Sequence, residues 1–304
     1  MKTKIGIIGS INTDIVCQTD KIPEVGETVI GNNFSTLHGG KGANEAVSAA
    51  RLGANVNLIA CVGDDNFSSL SLKNLRSEKV NLIGITALKN TKGGIANIVI
   101  SNKNNQIIVV PGANEKLSPD LIRKNISQIL ECNIIGAQFE VPIESVLLTS
   151  QICKENNIKF VLNPSPLKKY PKELFNNSTF VIVNEVEISS ISGYNQQNPF
   201  EVLNKYPNKL ILTHGSKGCY FSNGSEIINV PAIKVDVIDT TGAGDTFLGS
   251  FMFAINNNLP IEKSIEFANI CAGLKTTKLG AQTGMPTIKE VKNYIKKNKI
   301  QITI

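Results

Sequence analysis

In the carboxyl-terminal third of this 304-residue chain, Asp239-Thr-Thr-Gly-Ala-Gly-Asp245 runs into an apolar stretch of helical period, Phe247 to Ile255. Gly242 and Gly244 allow the backbone to approach a ligand, and amides at a helix start aim their N–H groups, with the helix dipole, at an anion. Such a turn can cradle phosphate. A carboxylate at Asp245 beside those amides can accept a hydroxyl proton while the amides stabilise charge on a transferring phosphoryl group. The same residues also suit an ordinary glycine loop in which Asp245 caps the helix.

A second glycine cluster, His38-Gly-Gly-Lys-Gly-Ala-Asn44, precedes an expected helix from Glu45 to Leu52. It is neither Gly-x4-Gly-Lys-Ser/Thr nor Gly-x-Gly-x-x-Gly, so Walker-type and dinucleotide readings have no basis here. Open backbone with Lys41 and Asn44 suits a polyhydroxyl ligand, because amides and a side-chain amide satisfy several hydroxyls together. A solvated turn before a helix is the plainer alternative. Asn12 and Asp14 follow the first expected strand, where they could face one pair of ligand hydroxyls or form an Asx-turn. Glu140 ends another strand, and Asn184 and Glu187 follow the strand at Phe180. Acids so placed can serve substrate or magnesium, or simply start a helix.

Short Ile- and Val-rich runs must position these groups. Lys4 to Ile8, Asn57 to Val62, Ile134 to Phe139, Lys159 to Leu162, Phe180 to Val183 and Leu210 to Thr213 read as strands, most flanked by amphipathic stretches. Continuous apolar strands alternating with helices predict a parallel sheet covered on both faces, a three-layer α/β/α sandwich. Two segments break the rhythm. Ile95 to Ser101 and Gln106 to Pro111 read as a hairpin, and Ile22 to Phe34, with Pro23, Gly26 and Gly31, has no helical period. Together they predict a small added sheet, a lid of roughly residues 13–37 and 94–112 within one domain of residues 1–304, over a cleft at the strand carboxyl ends.

Composition bounds the rest. With 41% apolar and 18% charged residues the chain is globular. Its formal charge of +6 is scattered. Lys289 to Lys299 reads as a solvated helix face, and no basic stripe with interleaved aromatics suggests nucleic acid. The longest apolar runs fall far short of the ~20 residues that span a bilayer, and the run after Lys2 and Lys4 is too short for a signal peptide, so a cytoplasmic protein is expected. Six cysteines lie far apart, with no Cys-x-x-Cys pair and two histidines, which predicts reduced thiols and no zinc site.

Taken in order, these motifs resemble the ribokinase branch of the PfkB carbohydrate kinase family. Gly39-Gly-Lys-Gly-Ala-Asn-Glu-Ala46 and Asp239-Thr-Thr-Gly-Ala-Gly-Asp-Thr-Phe247 match its two signatures. Val110-Pro-Gly-Ala-Asn114, Asn163-Pro-Ser-Pro166, Asn184-Glu-Val-Glu187, Thr213-His-Gly-Ser-Lys-Gly218 and Gly280-Ala-Gln282 continue the match from Ile5 to about Ile295. The resemblance implies a ribokinase-like fold and transfer of the ATP γ-phosphoryl group to the 5-hydroxyl of D-ribose, giving D-ribose 5-phosphate. It implies Asp245 as base and the amides of Gly242, Ala243 and Gly244 as anion hole. Asn12, Asp14, Gly40, Lys41, Asn44 and Glu140 would hold ribose, with Ala96 and Ile98 as apolar lid contacts. Asn184, Thr213, Gly215, Lys217, Gly218, Gly244 and Asn269 would serve ATP, and Glu187 magnesium.

A potassium site is implied at Asp239 and Thr241 with the backbone of Lys275, Lys278 and Gly280. Gly284 departs from the pattern, which has Ser there, and a backbone oxygen or water would have to stand in. His38, where Pro is common, is expected in a loop. Pairing of lids implies a homodimer. The alternatives are a kinase of the same family for 2-deoxyribose, another sugar or a nucleoside, and a sugar-binding regulator without catalysis; retention of Asp245, Gly242 and Gly244 argues against the last.

Overall fold

The computed structural model describes residues 4–101 and 104–303. Thirteen strands follow in chain order: β1 (Lys4–Ile8), β2 (Asn12–Thr19), β3 (Gly31–Gly39), β4 (Asn55–Val62), β5 (Ile85–Ala87), β6 (Gly94–Ser101), β7 (Asn104–Val110), β8 (Ile134–Ala137), β9 (Lys159–Leu162), β10 (Phe180–Val183), β11 (Leu210–Thr213), β12 (Cys219–Ser222) and β13 (Ile227–Val230). The large sheet has the order β13-β12-β11-β10-β9-β8-β1-β4-β5. It is parallel from β11 to β5, while β12 and β13 add an antiparallel edge.

Alternate residues of each strand enter different layers, as the two-residue period requires. Ile5 and Ile7 of β1 with Leu58, Ala60 and Val62 of β4 join one buried cluster, which contains Phe251, Met252 and Phe267 from helices Ala243–Asn256 and Ile261–Thr276. Ile8, Ile59 and Cys61 face the opposite cluster, with Val146 of helix Ile143–Glu155. Both sheet faces are therefore covered, and the α/β/α sandwich follows.

The strand read as Ile134 to Phe139 stops at Ala137, because Phe139 N–H leaves the ladder and donates to Ser165 O at 2.8 Å. The β12–β13 hairpin escaped sequence reading. Its four-residue strands are short, and its turn rests on Asn223 Oδ1, which accepts from Ser225 N at 2.8 Å and Glu226 N at 2.9 Å.

The small sheet has the order β3-β2-β6-β7. Only Gly9–Ile11 separates β1 from β2, so the chain passes from the large sheet straight into the small one. Residues 20–30 are irregular, and the end of the stretch Ile22 to Phe34, from Gly31 on, already belongs to β3. Val16, Ala96 and Ile98 form a minor buried cluster beneath this sheet, whereas Phe34, Ile107 and Ile108 are exposed. That open sheet helps explain a total exposed area of 14,837 Å², above the roughly 12,000 Å² that scaling gives for this mass. The six cysteines are free, and among the described residues no helix is long and apolar enough to cross a membrane.

Candidate active site

Two helix starts meet at the carboxyl end of β1. Helix Lys41–Arg51 begins four residues before the expected position, so Lys41 to Asn44 form its first turn instead of a loop. Gly40 precedes it at φ +88°, and a Cβ there would stand 2.6 Å from Asn12 N. Only glycine lets this turn lie against the start of β2. Helix Ala243–Asn256 begins after Gly242 at φ +74°, the left-handed region. Asp245 is thus the third helical residue and does not cap the helix.

Asp245 is buried, and its Oδ2 accepts from Asn44 Nδ2 at 2.7 Å. Lys41 Nζ lies 3.7 Å from Oδ1. Asn44 Oδ1 accepts from Gln282 Nε2 at 3.0 Å, and Gln282 Oε1 accepts from Asn74 Nδ2 at 2.7 Å. This relay orients the Asn44 amide with its donor toward Asp245. Of the three amides expected to face phosphate, that of Ala243 donates to Thr240 O at 3.1 Å, closing the turn. Gly242 stands at the N-cap of this helix and Gly244 is its second residue.

Glu140 ties the same region to β1 and β2. Its Oε2 accepts from Lys41 N at 3.1 Å, Asn12 Nδ2 at 3.4 Å and Ser10 Oγ. Asn12 Oδ1 accepts from Asn114 Nδ2 at 2.7 Å, while Ile11 N donates to Asn114 Oδ1 at 2.9 Å. Asp14 lies opposite Leu37 of β3 and Ala96 of β6. Burial, then the charges of Glu140 and Asp245, push its pKa up to about 7. Burial works against the Lys41 ammonium, but Asp245, Glu140, Glu187 and Glu45 outweigh it and hold its pKa above the ordinary value. Glu45 is fully buried and bonded by Gln138 Nε2. Burial first and the Asp245 charge second raise its pKa well above the usual carboxylate range.

The Asp14 shift has a measurable consequence. Its proton is held more tightly in the fold than in the unfolded chain, so its contribution to stability is lost as pH rises from the ordinary aspartate range through about 7. If Asp14 holds the sugar, as the resemblance implies, ligand binding would run the other way, since an ionised carboxylate can accept two hydroxyls. The kcat/KM for the sugar is expected to climb up to about tenfold per pH unit below neutrality and to level off above it. Asp14→Asn should abolish this limb. Persistence of an unchanged limb in the variant, read from a pH–rate profile, would refute the assignment.

The loop before Gly242 is anchored by Asp239. Thr241 N donates to its Oδ1 at 2.8 Å, Gly280 N to its Oδ2 at 2.7 Å, and Lys275 Nζ to its carbonyl oxygen at 2.7 Å. Burial opposes ionisation of Asp239, but bonds from Thr241 and Gly280 and the Lys275 charge hold its pKa below the ordinary value. Lys278 points away and donates to Glu290 Oε1 at 2.6 Å. A Cβ on Gly284 would stand 3.1 Å from Lys275 Cε and 3.2 Å from the carbonyl oxygens of both Lys275 and Lys278. A Ser there would crowd the lysine stem, and the lysine ammonium sits on the carbonyl oxygen of Asp239, a residue expected to serve potassium. These residues do not fit a potassium ion, contrary to the sequence expectation.

A cleft of about 840 Å³ runs from Asp14, Leu37 and Ile98 to Thr241 and Gly280. Farther along, Val183 pairs with Leu212, so Asn184, just past β10, and Thr213, the last residue of β11, sit at adjacent strand ends. Asn184 Oδ1 accepts from Val186 N at 2.9 Å and Glu187 N at 2.8 Å. Glu187 Oε2 accepts from Asn184 N at 3.1 Å and Asn163 Nδ2 at 3.2 Å. Gly215 to Lys217 form a single tight turn, closed by His214 N donating to Gly218 O at 2.7 Å. Asn269 is buried and committed to protein: Nδ2 donates to Val230 O at 2.9 Å and Oδ1 accepts from Cys219 Sγ at 3.1 Å. It shapes the segment after β13.

The resemblance can now be measured. The sequence pattern described as pfkB family carbohydrate kinase matches residues 2–288. A ribokinase of Lactococcus lactis subsp. lactis is 40% identical over 301 residues, covering 99% of each chain. One from Bacillus subtilis is 38% identical, covering 96% of this chain and 99% of the other. The solved structure titled as Arabidopsis thaliana ribokinase complexed with ribose and ATP superposes with a TM-score of 0.89 at 28% identity, covering 97% of this chain and 99% of that one. This chain belongs to the pfkB family of carbohydrate kinases.

In this carbohydrate kinase, sequence reasoning missed four residues that build the site: Ser10, Glu45, Asn114 and Gln282. The last three stand inside motifs quoted above, where their role as supports for Asn12, Asn44 and Gln138 was not assigned. His38 lies on β3 opposite Thr13 rather than in a loop, with its Nδ1 buried and without a hydrogen-bond partner among the described residues. Burial lowers its pKa.

Proposed function

We propose that this carbohydrate kinase transfers the γ-phosphoryl group of ATP to the 5-hydroxyl of D-ribose, giving D-ribose 5-phosphate. One observation carries the reading: a buried Asp245, fixed by Asn44 and Lys41, stands at the amide end of a helix in the same cluster as Asn12, Asp14 and Glu140. Asp245 Oδ1 orients the acceptor hydroxyl and takes its proton as the oxygen–phosphorus bond forms and ADP leaves. Position does more here than basicity. The amides of Gly242 and Gly244 receive the charge that develops on the transferring group. Release of the Ala243 turn bond would add a third donor. Asn12, Asp14, Glu140, Asn44, Lys41 and the backbone of Gly40 hold the sugar hydroxyls.

ATP lies along Asn184, Thr213, Gly215, Lys217 and Gly218, with Asn269 positioning the neighbouring segment. Magnesium is carried mostly by phosphate oxygens and water, so it needs few protein ligands. Glu187 fits that role, because only its Oε2 is engaged by protein donors among the described residues. The sheet of residues 12–39 and 94–110 is a lid that excludes water, with Ala96 and Ile98 toward the sugar. Its exposed Ile107, Ile108, Val109 and Val110 pair with a second copy, giving a cytoplasmic homodimer. A monomer in sedimentation at micromolar concentration would refute that assembly.

Initial rates with ATP on ribose, 2-deoxyribose, other sugars and nucleosides test the function. Ribose is the expected best acceptor by kcat/KM. A strong preference for any other acceptor would replace ribose in this account, and binding without turnover would favour the regulator.

A further inference from the structure

Lys275 is completely buried in the last turn of helix Ile261–Thr276. A lysine is rarely found there unless its charge is paired. Its Nζ lies 2.7 Å from Asp239 O and 3.7 Å from Asp239 Oδ2. Asp239 is a residue that the family resemblance gives to a monovalent cation. The carbonyl oxygens of Lys275 itself and of Lys278, whose backbone belongs to the same implied set, border the same spot, each 3.2 Å from where a Cβ on Gly284 would be. Gly284 completes the fit. Any side chain there would crowd Lys275 Cε at 3.1 Å, so the absent hydroxyl ligand and the present ammonium are two sides of one arrangement.

We propose that the Lys275 ammonium is a built-in replacement for the monovalent cation, and that phosphoryl transfer by this chain is independent of potassium. The inference rests on the kinase reading above. A second cation placed against the same oxygens would meet a like charge at contact distance. The ammonium does the structural work of the ion. It holds the Asp239 carbonyl, whose own side chain gathers Thr241 N and Gly280 N, and thereby fixes the turn that presents the Gly242 and Gly244 amides. Lys275 is a positioning residue, acting on phosphate through that turn.

The experiment uses the whole protein desalted into choline chloride, with potassium raised at constant ionic strength. Wild-type kcat on ribose and ATP is expected to change by less than about twofold, well under the tenfold that 1.4 kcal/mol of barrier represents. Lys275→Ala in choline is expected to lose roughly 10²-fold in kcat, the scale of misplacing amide donors. Potassium or ammonium ions should restore much of that loss, and lithium should not. Lys275→Ala with Gly284→Ser should be rescued at lower potassium. A purely structural lysine predicts no ion-specific rescue.

Melting temperature is the readout independent of catalysis: potassium should leave the wild type unmoved relative to choline and should stabilise Lys275→Ala. Should no acceptor be phosphorylated, the kinase reading fails while the melting comparison still decides the cation question. Potassium activation of the wild type by more than about twofold, a potassium-specific rise in its melting temperature, or Lys275→Ala without ion rescue would each overturn the proposal.

Discussion

Asp245→Asn is expected to lower kcat by about 10³-fold, within the 10²–10⁴ range of general-base catalysis, while sugar affinity changes only a few-fold. The amide keeps the size of the carboxylate and can turn one oxygen toward Asn44 Nδ2, which lies 2.7 Å from Oδ2 in the parent. It cannot take a proton from the acceptor hydroxyl. The lost partner of Lys41, at 3.7 Å, is a smaller matter because Glu140 and Glu187 also attract that ammonium. Steady-state kinetics with calorimetric sugar binding separates the two effects. A kcat within tenfold of the parent would remove Asp245 from the role of base.

Glu140→Ala is expected to fail at the opposite step. One carboxylate oxygen accepts from Lys41 N, Asn12 Nδ2 and Ser10 Oγ, bridging the first turn of a helix to the end of β1 and the start of β2. Its removal strands three donors, each worth about 1–3 kcal/mol when left unpaired, although the partly open position lets water recover some of that. The sugar KM should rise about 10²-fold, equivalent to roughly 2.7 kcal/mol, with kcat at saturation within about tenfold of the parent. The same change removes a carboxylate that raises the Asp14 pKa, so the acid limb of kcat/KM should move to lower pH. Equal losses in kcat and kcat/KM would place Glu140 in the transition state and not in sugar binding.

These two residues mark how far the sequence could be read. Asp245 stood out because its neighbourhood is local: glycines, helix start and acid sit within seven consecutive positions, and the fold places it in the first turn of helix Ala243–Asn256. Six of the seven parallel strands of the large sheet were legible for a similar reason, since burial on both faces forces runs such as Phe180–Val183; β5 was missed because it has only three residues. Glu140 was visible only as an acid at a strand end. That its Oε2 collects a backbone amide 99 residues away in sequence is a property of chain crossing. Asn44 is similar: its neighbours suggested a sugar ligand, yet its amide donates to Asp245, 201 positions on.

Composition, strand rhythm and motif order by themselves determined the α/β/α sandwich, the small second sheet and the family, because each depends on residue type and near-neighbour spacing. Tertiary structure alone decided the rest. It assigned Ala243 N–H to a turn, Asn269 to the support of a loop, and the Asn44–Gln282–Asn74 relay to the orientation of the Asn44 amide against Asp245. It also set the Lys275 ammonium against Asp239, in space left by a glycine nine residues on. Hydrogen-bond partners and the packing of a buried charge are fixed by which surfaces meet across the fold, and no local spacing encodes that meeting.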